Sequence, residues 1–586
     1  MTTLAAICPI CAGRKMYYAF SVAQSRLVEC CDCGHMMLHP PPSQEELDLI
    51  YDENYALMQE TGEERRQFAE MKQATARHYL DLVGACLGRH AGRLLEIGCG
   101  AGDLLTAAAR LGYDVTGVEP SEYSCAQARE KLGIAGRVVC GDITSLTEKN
   151  YYDVCVLADV VEHVSDPRDF LNRVNALVRP GGIVVIATPS LDSWSARMMR
   201  TKWMEFKTEH IQYFRQETLH SLLFQTGLLP IAALPGYKFL SLEYIAGHFA
   251  KYPVHMVSFA LRQLSAVLPA ALRKKPFKVV ASGIVSVSVK TPAPAHRKLS
   301  IILPVYNEAA TLEPVLRSVL EKKIEGLQKE VVIVESNSND GTRDIVLKYR
   351  DHPEVVIVLE DRAQGKGHAV RTALGHATGD FILIQDGDRE YDIEDYDVLL
   401  EPLVSGRSSF ILGSRHGGRT WKVRRFKGKP FTGLLLNFGH WFFKTLVNVA
   451  FRLKLDDPFT MYKIFRRDCL SGLKFECNRF DFDYELLIKV VRKGYRPVEI
   501  PVNYRSRSFS EGKKVSVVRD PWTWIRAIFK YRCVPLNILE TWRANQIAKS
   551  LPGLDTADGL VPRASIGGLY ERPGESVVPS AGPSRI

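Results

Sequence analysis

The sequence lacks an uninterrupted membrane span and a disulfide framework. Met1–Ile10 has no basic start and contains Cys8 and Pro9, so no secretory signal is expected. Two apolar stretches approach the length of a span, and both are broken. Thr432–Phe451 carries Asn437, His440, Lys444 and Asn448 at helical spacing, one polar stripe where a span would be apolar all round. Val254–Leu272 is interrupted by His255, Arg262, Gln263 and Pro269 and runs into Arg273, Lys274 and Lys275. No transmembrane helix is expected. The 13 cysteines are scattered apart from one N-terminal cluster, which fits a reducing, cytoplasmic compartment. No internal repeat is visible.

What is present is the composition of an ordinary globular protein, 46% hydrophobic and 24% charged over 586 residues. That length exceeds a single core and suggests about three to four domains. The net charge of +10 permits phosphorylated substrates, an anionic membrane or nucleic acid, and chooses none of them. The clearest boundary is "TPAPAHRK", Thr291–Lys298. On each side of it, short buried-strand runs alternate with helical patterns, from "RLLEIGCG" to "GIVVIATP" and again from "LSIILPVYN" to "SFILGSR". This rhythm predicts an α/β protein with two mostly parallel sheets. The expected divisions are a zinc ribbon over 1–45, a first α/β domain over 46–290, a linker over 291–298, a second α/β domain over 299–551, and a disordered tail over 552–586.

Cys8 and Cys11 form one CxxC pair, and Cys30 and Cys33 form another. Two such pairs bring four thiolates to one ion, for which Zn²⁺ is the natural choice, in a closed structural site. Cys31 and His35 compete for a ligand place.

In the first α/β segment "LLEIGCGAGD" sets Glu96 inside a strand and Gly98, Gly100 and Gly102 directly after it, where glycine lets the backbone approach a ligand closely. Later strands end in Glu119, Asp142 and "ADVVEHVSDP". With these signals in order, Tyr79–Lys290 resembles the class I S-adenosylmethionine-dependent methyltransferases, with a Rossmann-like fold. The resemblance implies that the glycines border the methionine moiety, that Glu119 binds the ribose, and that Asp142 lies near the adenine. Asp159 and His163 would face the pocket. Nucleotide-sugar C-methyltransferases carry a comparable four-cysteine domain, and some ribosomal RNA methyltransferases carry a zinc ribbon. No "[DN]PP[YF]" follows the fourth strand, which argues against methylation of an adenine amino group. His163 and His210 are candidate bases for a sugar hydroxyl, because imidazole titrates near neutrality.

The second segment opens with "LPVYNEAATL", continues with "VIVESNSNDGT" and "QGKGHA", and reaches "FILIQDGDREYD", where carboxylates crowd the end of a buried strand. Leu299–Arg507 thereby resembles the GT-A glycosyltransferases of family 2, especially the dolichyl-phosphate mannosyltransferase-like branch. By that resemblance Asp386 and Asp388 form a DxD-type pair for Mg²⁺ or Mn²⁺, Glu390 is a third ligand, and Pro304, Glu308 and Glu335 line the nucleotide pocket. Lys366 and Arg415 would contact phosphates. Arg505, Arg507 and Lys513 suit a diphosphate or an acceptor phosphate. Asp483 is the candidate base if the acceptor is a hydroxyl. A polyprenyl phosphate, anionic already at pH 7, needs none.

The combined expectation is a bifunctional enzyme. It would use S-adenosylmethionine to methylate a sugar or glycolipid, and a nucleotide-diphosphate sugar to glycosylate a polyprenyl phosphate or glycan. The basic run from Arg415 to Lys429 beside an apolar helix suits a peripheral contact at the inner face of a membrane. Nucleic acid is disfavoured, because the basic residues concentrate where a phosphosugar site explains them. The alternatives are an RNA methyltransferase in the first half, or one half reduced to a binding module.

Overall fold

The computed structural model describes residues 3–4, 6–22, 25–43, 62–251, 255–291, 297–415, 430–505 and 520–550. Arg507, Lys513, the tail, most of the linker and of the basic run, and the expected boundary at 45/46 lie outside them.

Three sheets organise the chain. The first is antiparallel: β1 (Thr3–Leu4), β2 (Met16–Val22), β3 (Ser25–Cys30) and β4 (Met36–Leu38). Its fifth strand, Gln212–Tyr213, comes from far along the chain and pairs with Met36–Met37. The cysteine module is therefore built onto the segment behind it.

The second sheet contains β5 (Gly92–Ile97), β6 (Tyr113–Glu119), β7 (Gly136–Cys140), β8 (Tyr152–Ala158) and β9 (Val178–Pro189). After β10 (Gln212–Tyr213, lent to the first sheet) it is completed by β11 (Leu228–Leu240) and β12 (Phe277–Lys290). The spatial order is β11-β12-β9-β8-β5-β6-β7, parallel except for β11 and β12. β8 is buried almost end to end, as a strand covered on both faces should be. Helix α1 (Gly62–Leu87) packs Leu80 and Val83 onto this sheet, and α2 (Asp103–Arg110) follows the glycine turn. Further helices are α3 (Gln216–Gln225), then α4 (Leu242–Lys251), α5 (His255–Val267) and α6 (Ala270–Lys274) between β11 and β12.

The third sheet comprises β13 (Lys298–Val305), β14 (Gln328–Glu335), β15 (Val355–Leu359), β16 (Phe381–Ile384), β17 (Phe410–Ser414), β18 (Lys463–Arg466) and β19 (Val498–Pro501). Its order is β15-β14-β13-β16-β18-β17-β19, with β18 antiparallel to both neighbours. Around it lie α7 (Leu312–Glu321), α8 (Lys366–His376), α9 (Pro430–Phe451), α10 (Phe482–Arg492) and α11 (Asp520–Cys533). The last helix, α12 (Ile538–Ser550), returns to the second sheet, where Trp542 joins the core of α1.

Helix α9 buries Phe443 and Val447 and also turns part of its polar stripe toward protein: Lys444 meets Asp456 at 2.9 Å, and the Asn448 amide exchanges two hydrogen bonds with the backbone of Leu455. Phe438, Trp441 and Val449 are left exposed. Among the described residues no helix is long and apolar enough to cross a membrane.

Candidate functional site

Both large sheets reverse strand order once between parallel neighbours, at β5/β8 and at β13/β16, and crevices open beyond the carboxyl ends of such strands. The candidate side chains gather at those two places.

Beyond β5, Gly98, Gly100 and Gly102 all adopt positive φ, at 73°, 49° and 78°, a region costly for any side chain. A Cβ on Gly98 would lie 2.6 Å from Val160, so the turn is also tightly packed. Glu119 shapes this turn, accepting from the Gly100 N–H at 2.9 Å and the Ser121 N–H at 3.1 Å. Glu96 is buried beneath, and burial, then Asp103 and Glu119, hold its carboxyl well above the usual range. Asp142 stands at the end of the β7 turn, where the hydroxyl and N–H of Thr144 keep its carboxyl low.

Past β8, Asp159 sits at φ 56° and pairs with Lys238 from β11 at 3.0 Å. Next to it, Glu162, His163 and His210 bring one ligand-capable atom each within 4.8 Å of one another. The His163 Nδ1 lies 2.9 Å from the Glu209 carbonyl, and the His210 Nδ1 lies 2.9 Å from the Glu205 carbonyl. A carbonyl only accepts, so both Nδ1 atoms carry the proton and both Nε2 atoms keep their lone pairs. Burial lowers both imidazoles, His210 to about 3, so both are neutral at pH 7. Glu162 goes the other way, pushed up to about 8 by burial and by Asp159. One of its oxygens accepts from Thr188 at 2.9 Å, and the other is buried without a hydrogen-bond partner. Tyr79, Thr188, Glu205, Lys238 and Ser282 line the adjoining hollow with Asp159. Glu162 and Lys238 are the members that sequence reading missed. Glu162 stood beside His163 in "VEHV", but nothing local linked Lys238 to β8.

Beyond β16, Asp386 is in contact with the Lys366 ammonium, at the start of α8. Although burial opposes it, Asp386, then Asp483 and Asp388, hold the Lys366 ammonium above its usual value. Asp388 is buried and accepts from the Glu390 N–H at 3.0 Å. Glu390 itself accepts from the Tyr504 hydroxyl at 3.0 Å, and its carbonyl accepts the Arg505 N–H at 2.8 Å. Asp386, Asp388 and Glu390 are not a converged trio: among the described residues, groups of ligand atoms within 4.8 Å are found at Glu162, His163 and His210 and at the cysteines.

Nearby, Glu308 accepts from the Thr311 hydroxyl at 3.1 Å, and that hydroxyl also reaches the Gly387 carbonyl at 3.0 Å, which ties α7 to the carboxylate turn. Glu335 is fully buried against Arg343. Pro304 lies within β13. Arg415 is held by Asp457 through two contacts, at 2.7 and 2.6 Å. Asp483, at the start of α10, accepts from the buried Lys463 at 2.9 Å. Asp457 and Lys463 both stood in "DDPFTMYKIFRR", yet their partners are distant in sequence.

The cysteine cluster has two matching turns. In each, the fourth residue after the first cysteine donates its N–H to that cysteine's carbonyl: Ala12 to Cys8 at 3.0 Å, and Gly34 to Cys30 at 2.9 Å. Both donors have positive φ, 56° and 72°. The Cys8 and Cys33 Sγ atoms are 3.5 Å apart, and those of Cys11 and Cys30 are 3.6 Å apart, with all four thiols free. Sulfurs on a tetrahedral zinc, with Zn–S near 2.3 Å, would be separated by about 3.8 Å. The four thiols therefore fit zinc. Cys31 is exposed, and His35 is bound to Gln212 at 2.8 Å, so neither belongs to the set.

Comparison with known proteins gives one family match on each of the two α/β segments. A family model described as a methyltransferase domain matches residues 64–232, and the glycosyl transferase family 2 model matches residues 300–473. A dolichyl-phosphate beta-glucosyltransferase of Trichomonas vaginalis is 26% identical over 39% of this chain and 71% of its own length. A dolichol-phosphate mannosyltransferase of Pyrococcus furiosus is 28% identical over 37% of this chain and 59% of its own. A ubiquinone biosynthesis O-methyltransferase of Bradyrhizobium sp. (strain ORS 278) is 39% identical over 16% of this chain and 39% of its own length. The matches thus span from about two-fifths to seven-tenths of these relatives. Residues 64–232 thus match a methyltransferase domain and residues 300–473 a glycosyl transferase family 2 domain, one behind the other.

Proposed function

We propose that the protein is a bifunctional transferase, methylating one acceptor with S-adenosylmethionine and glycosylating a polyprenyl phosphate from a nucleotide-diphosphate sugar. The observation that carries this is the placement of two separate chemical constellations, each beyond the strand reversal of its own sheet.

In the first site the Gly98–Gly102 turn and Glu119 receive the methionine and ribose of the donor, and Asp142 borders its adenine. The acceptor enters on the side of Asp159, Lys238, His163 and His210. A hydroxyl there gives its hydrogen to the Nε2 of His210 or His163 while its oxygen takes the methyl group. Glu162, protonated around neutrality, limits the negative charge beside Asp159.

In the second site Pro304, Glu308 and Glu335 border the nucleotide and Arg505 is the basic candidate, while Arg507 and Lys513, expected from the sequence, lie outside the described residues. Lys366 meets the diphosphate. The oxygen donors of Asp386 and Asp388 fit Mg²⁺ or Mn²⁺, which when bound offsets the charge of the departing diphosphate. Glu390, whose Oε2 accepts from Tyr504, is the third candidate ligand. Asp483 is ion-paired with Lys463, which favours an acceptor that needs no base, and a phosphate monoester with a second pKa of about 6 is one. The outward Phe438 and Trp441 of α9 suit contact with a membrane surface near that site. Zinc on Cys8, Cys11, Cys30 and Cys33 is structural. The divisions proposed are 1–45, 46–290, 291–298, 299–551 and 552–586, with α12 of the fourth packed onto the sheet of the second.

The test is incubation of the intact protein with labelled S-adenosylmethionine, a panel of nucleotide sugars and a short polyprenyl phosphate. Divalent-dependent glycosyl transfer supports the second activity, and its absence across the whole panel would reject it. Calorimetric binding of S-adenosylhomocysteine tests the first site separately.

A further inference from the structure

The hairpin of β11 and β12 overshoots its sheet. β12 pairs with β9 from Val289 back to Gly283, whereas its pairing with β11 continues from Val280 to Phe277. The overshoot carries Lys238, the partner of Asp159, and two residues later the chain leaves the strand for α4, α5 and α6. These helices hold together: the Ser258 hydroxyl donates to the Phe249 carbonyl at 3.0 Å, and Arg273 donates to the Ser265 carbonyl at 3.1 Å.

Their outer surface carries large apolar side chains. At 3.6 residues per turn, Phe259, Ala260, Leu264 and Val267 fall within about 140° of one another on α5, with the exposed Gln263 among them. Phe259 is 66% exposed and Val267 81%. Leu272 on α6 and Val280 on the hairpin continue the patch at 56% and 62%. Charge around it is one-sided: residues 242–280 contain Lys251, Arg262, Arg273, Lys274, Lys275 and Lys278 against Glu243 alone. Helix α5 has 13 residues, too short to span a bilayer but long enough to lie in its interface. Large apolar side chains ringed by cations match an anionic lipid surface in both respects. Phe259, Leu264, Val267, Leu272 and Val280, and among the cations Arg262, Lys275 and Lys278, face solvent, so packing within the chain does not account for them.

We propose that α4–α6 form a docking plate for an anionic membrane surface, holding the acceptor side of the methyltransferase site against it. The methyl acceptor then belongs to the class of lipid-borne molecules, reached through the hollow beside Lys238. This last step rests on the methyltransferase reading given above; the docking itself does not.

The experiment is sedimentation of the intact protein with phosphatidylcholine vesicles, with and without phosphatidylglycerol. Two variants are compared with the parent, F259D/V267D and R262E/K275E/K278E, all at solvent-facing positions. The parent is expected to bind the phosphatidylglycerol vesicles, and each variant to bind about tenfold or more weakly, since each basic residue near such a surface contributes about fivefold. Melting temperature and S-adenosylhomocysteine binding should be unchanged in both. Variants that sediment like the parent would overturn the proposal and leave α9 as the membrane contact. So would a parent dimer that F259D/V267D converts to monomer with no loss of vesicle binding, because a second copy would then cover this face. Loss of S-adenosylhomocysteine binding in the parent itself would reject the methyltransferase reading without touching the docking result.

Discussion

The Nδ1 of His220 lies 2.8 Å from the Tyr495 hydroxyl, both fully buried, and this contact joins the second sheet's helix α3 to the third sheet's domain. Tyr495 donates to Asp468 at 2.8 Å, so its oxygen must accept from His220. That leaves the His220 Nε2 to accept from Ser286 of β12 at 3.2 Å. Asp468 is in turn gripped by Arg466 through contacts at 3.0 and 2.7 Å. Around this chain, the Gln216 amide reaches the Lys493 carbonyl at 2.7 Å, and the Ser221 hydroxyl reaches the Gly406 carbonyl at 2.8 Å. The two catalytic halves are thus docked through directed, buried hydrogen bonds.

Tyr495→Phe should therefore destabilise the intact protein by about 1–3 kcal/mol, because it leaves the buried His220 Nδ1–H without an acceptor and takes one hydrogen bond from Asp468, which keeps Arg466. Chemical denaturation of the variant checks this. A change near zero would mean that water replaces the hydroxyl.

Acid should weaken the fold through the same histidine. Burial pushes His220 and His210 down to about 3 and His35 to about 4, from an ordinary 6.5. Below 6.5 the unfolded chain takes up protons that the folded one refuses, so stability present above that pH is lost as the pH falls toward those values. Glu162 acts in the opposite sense: its contribution is full below 4.5 and is lost as pH rises through about 8. Melting temperature against pH should fall steeply on the acid side, and His220→Gln should flatten that limb.

Removal of zinc should unfold the N-terminal sheet. Metal analysis is expected to find one zinc per chain, lost in Cys30→Ser. Because the strand Gln212–Tyr213 belongs to that sheet, chelation should also expose the neighbouring His210 loop to proteolysis.

Lys366→Ala should lower glycosyl transfer by about a hundredfold or more, as loss of a fixed cation beside a leaving diphosphate does. Binding of S-adenosylhomocysteine should be unaffected. Equal loss of both activities would point to misfolding instead.

His210→Gln should reduce methyl transfer by a factor of about 10²–10⁴ while donor binding persists. His163→Gln measured alongside identifies which Nε2 takes the hydrogen.

Much of this was legible in the sequence because it is local. A buried run followed by glycines, or by Asp386 and Asp388, fixes a strand and the turn after it within a few residues. The two CxxC pairs likewise specify matching turns. Parallel sheets follow from strands that are apolar on both faces. What tertiary structure alone decided is partnership. Asp386 with Lys366, Asp483 with Lys463, Arg415 with Asp457, and Asp159 with Lys238 join strand ends that chain order keeps far apart. The same holds for α9, whose Lys444 and Asn448 are turned inward by Asp456 and Leu455, and for His220, whose partner lies in the other half. Backbone propensity and hydrophobic period act over a few residues. Ion pairing and burial act across whatever surfaces folding brings together, and no spacing in one sequence encodes that distance.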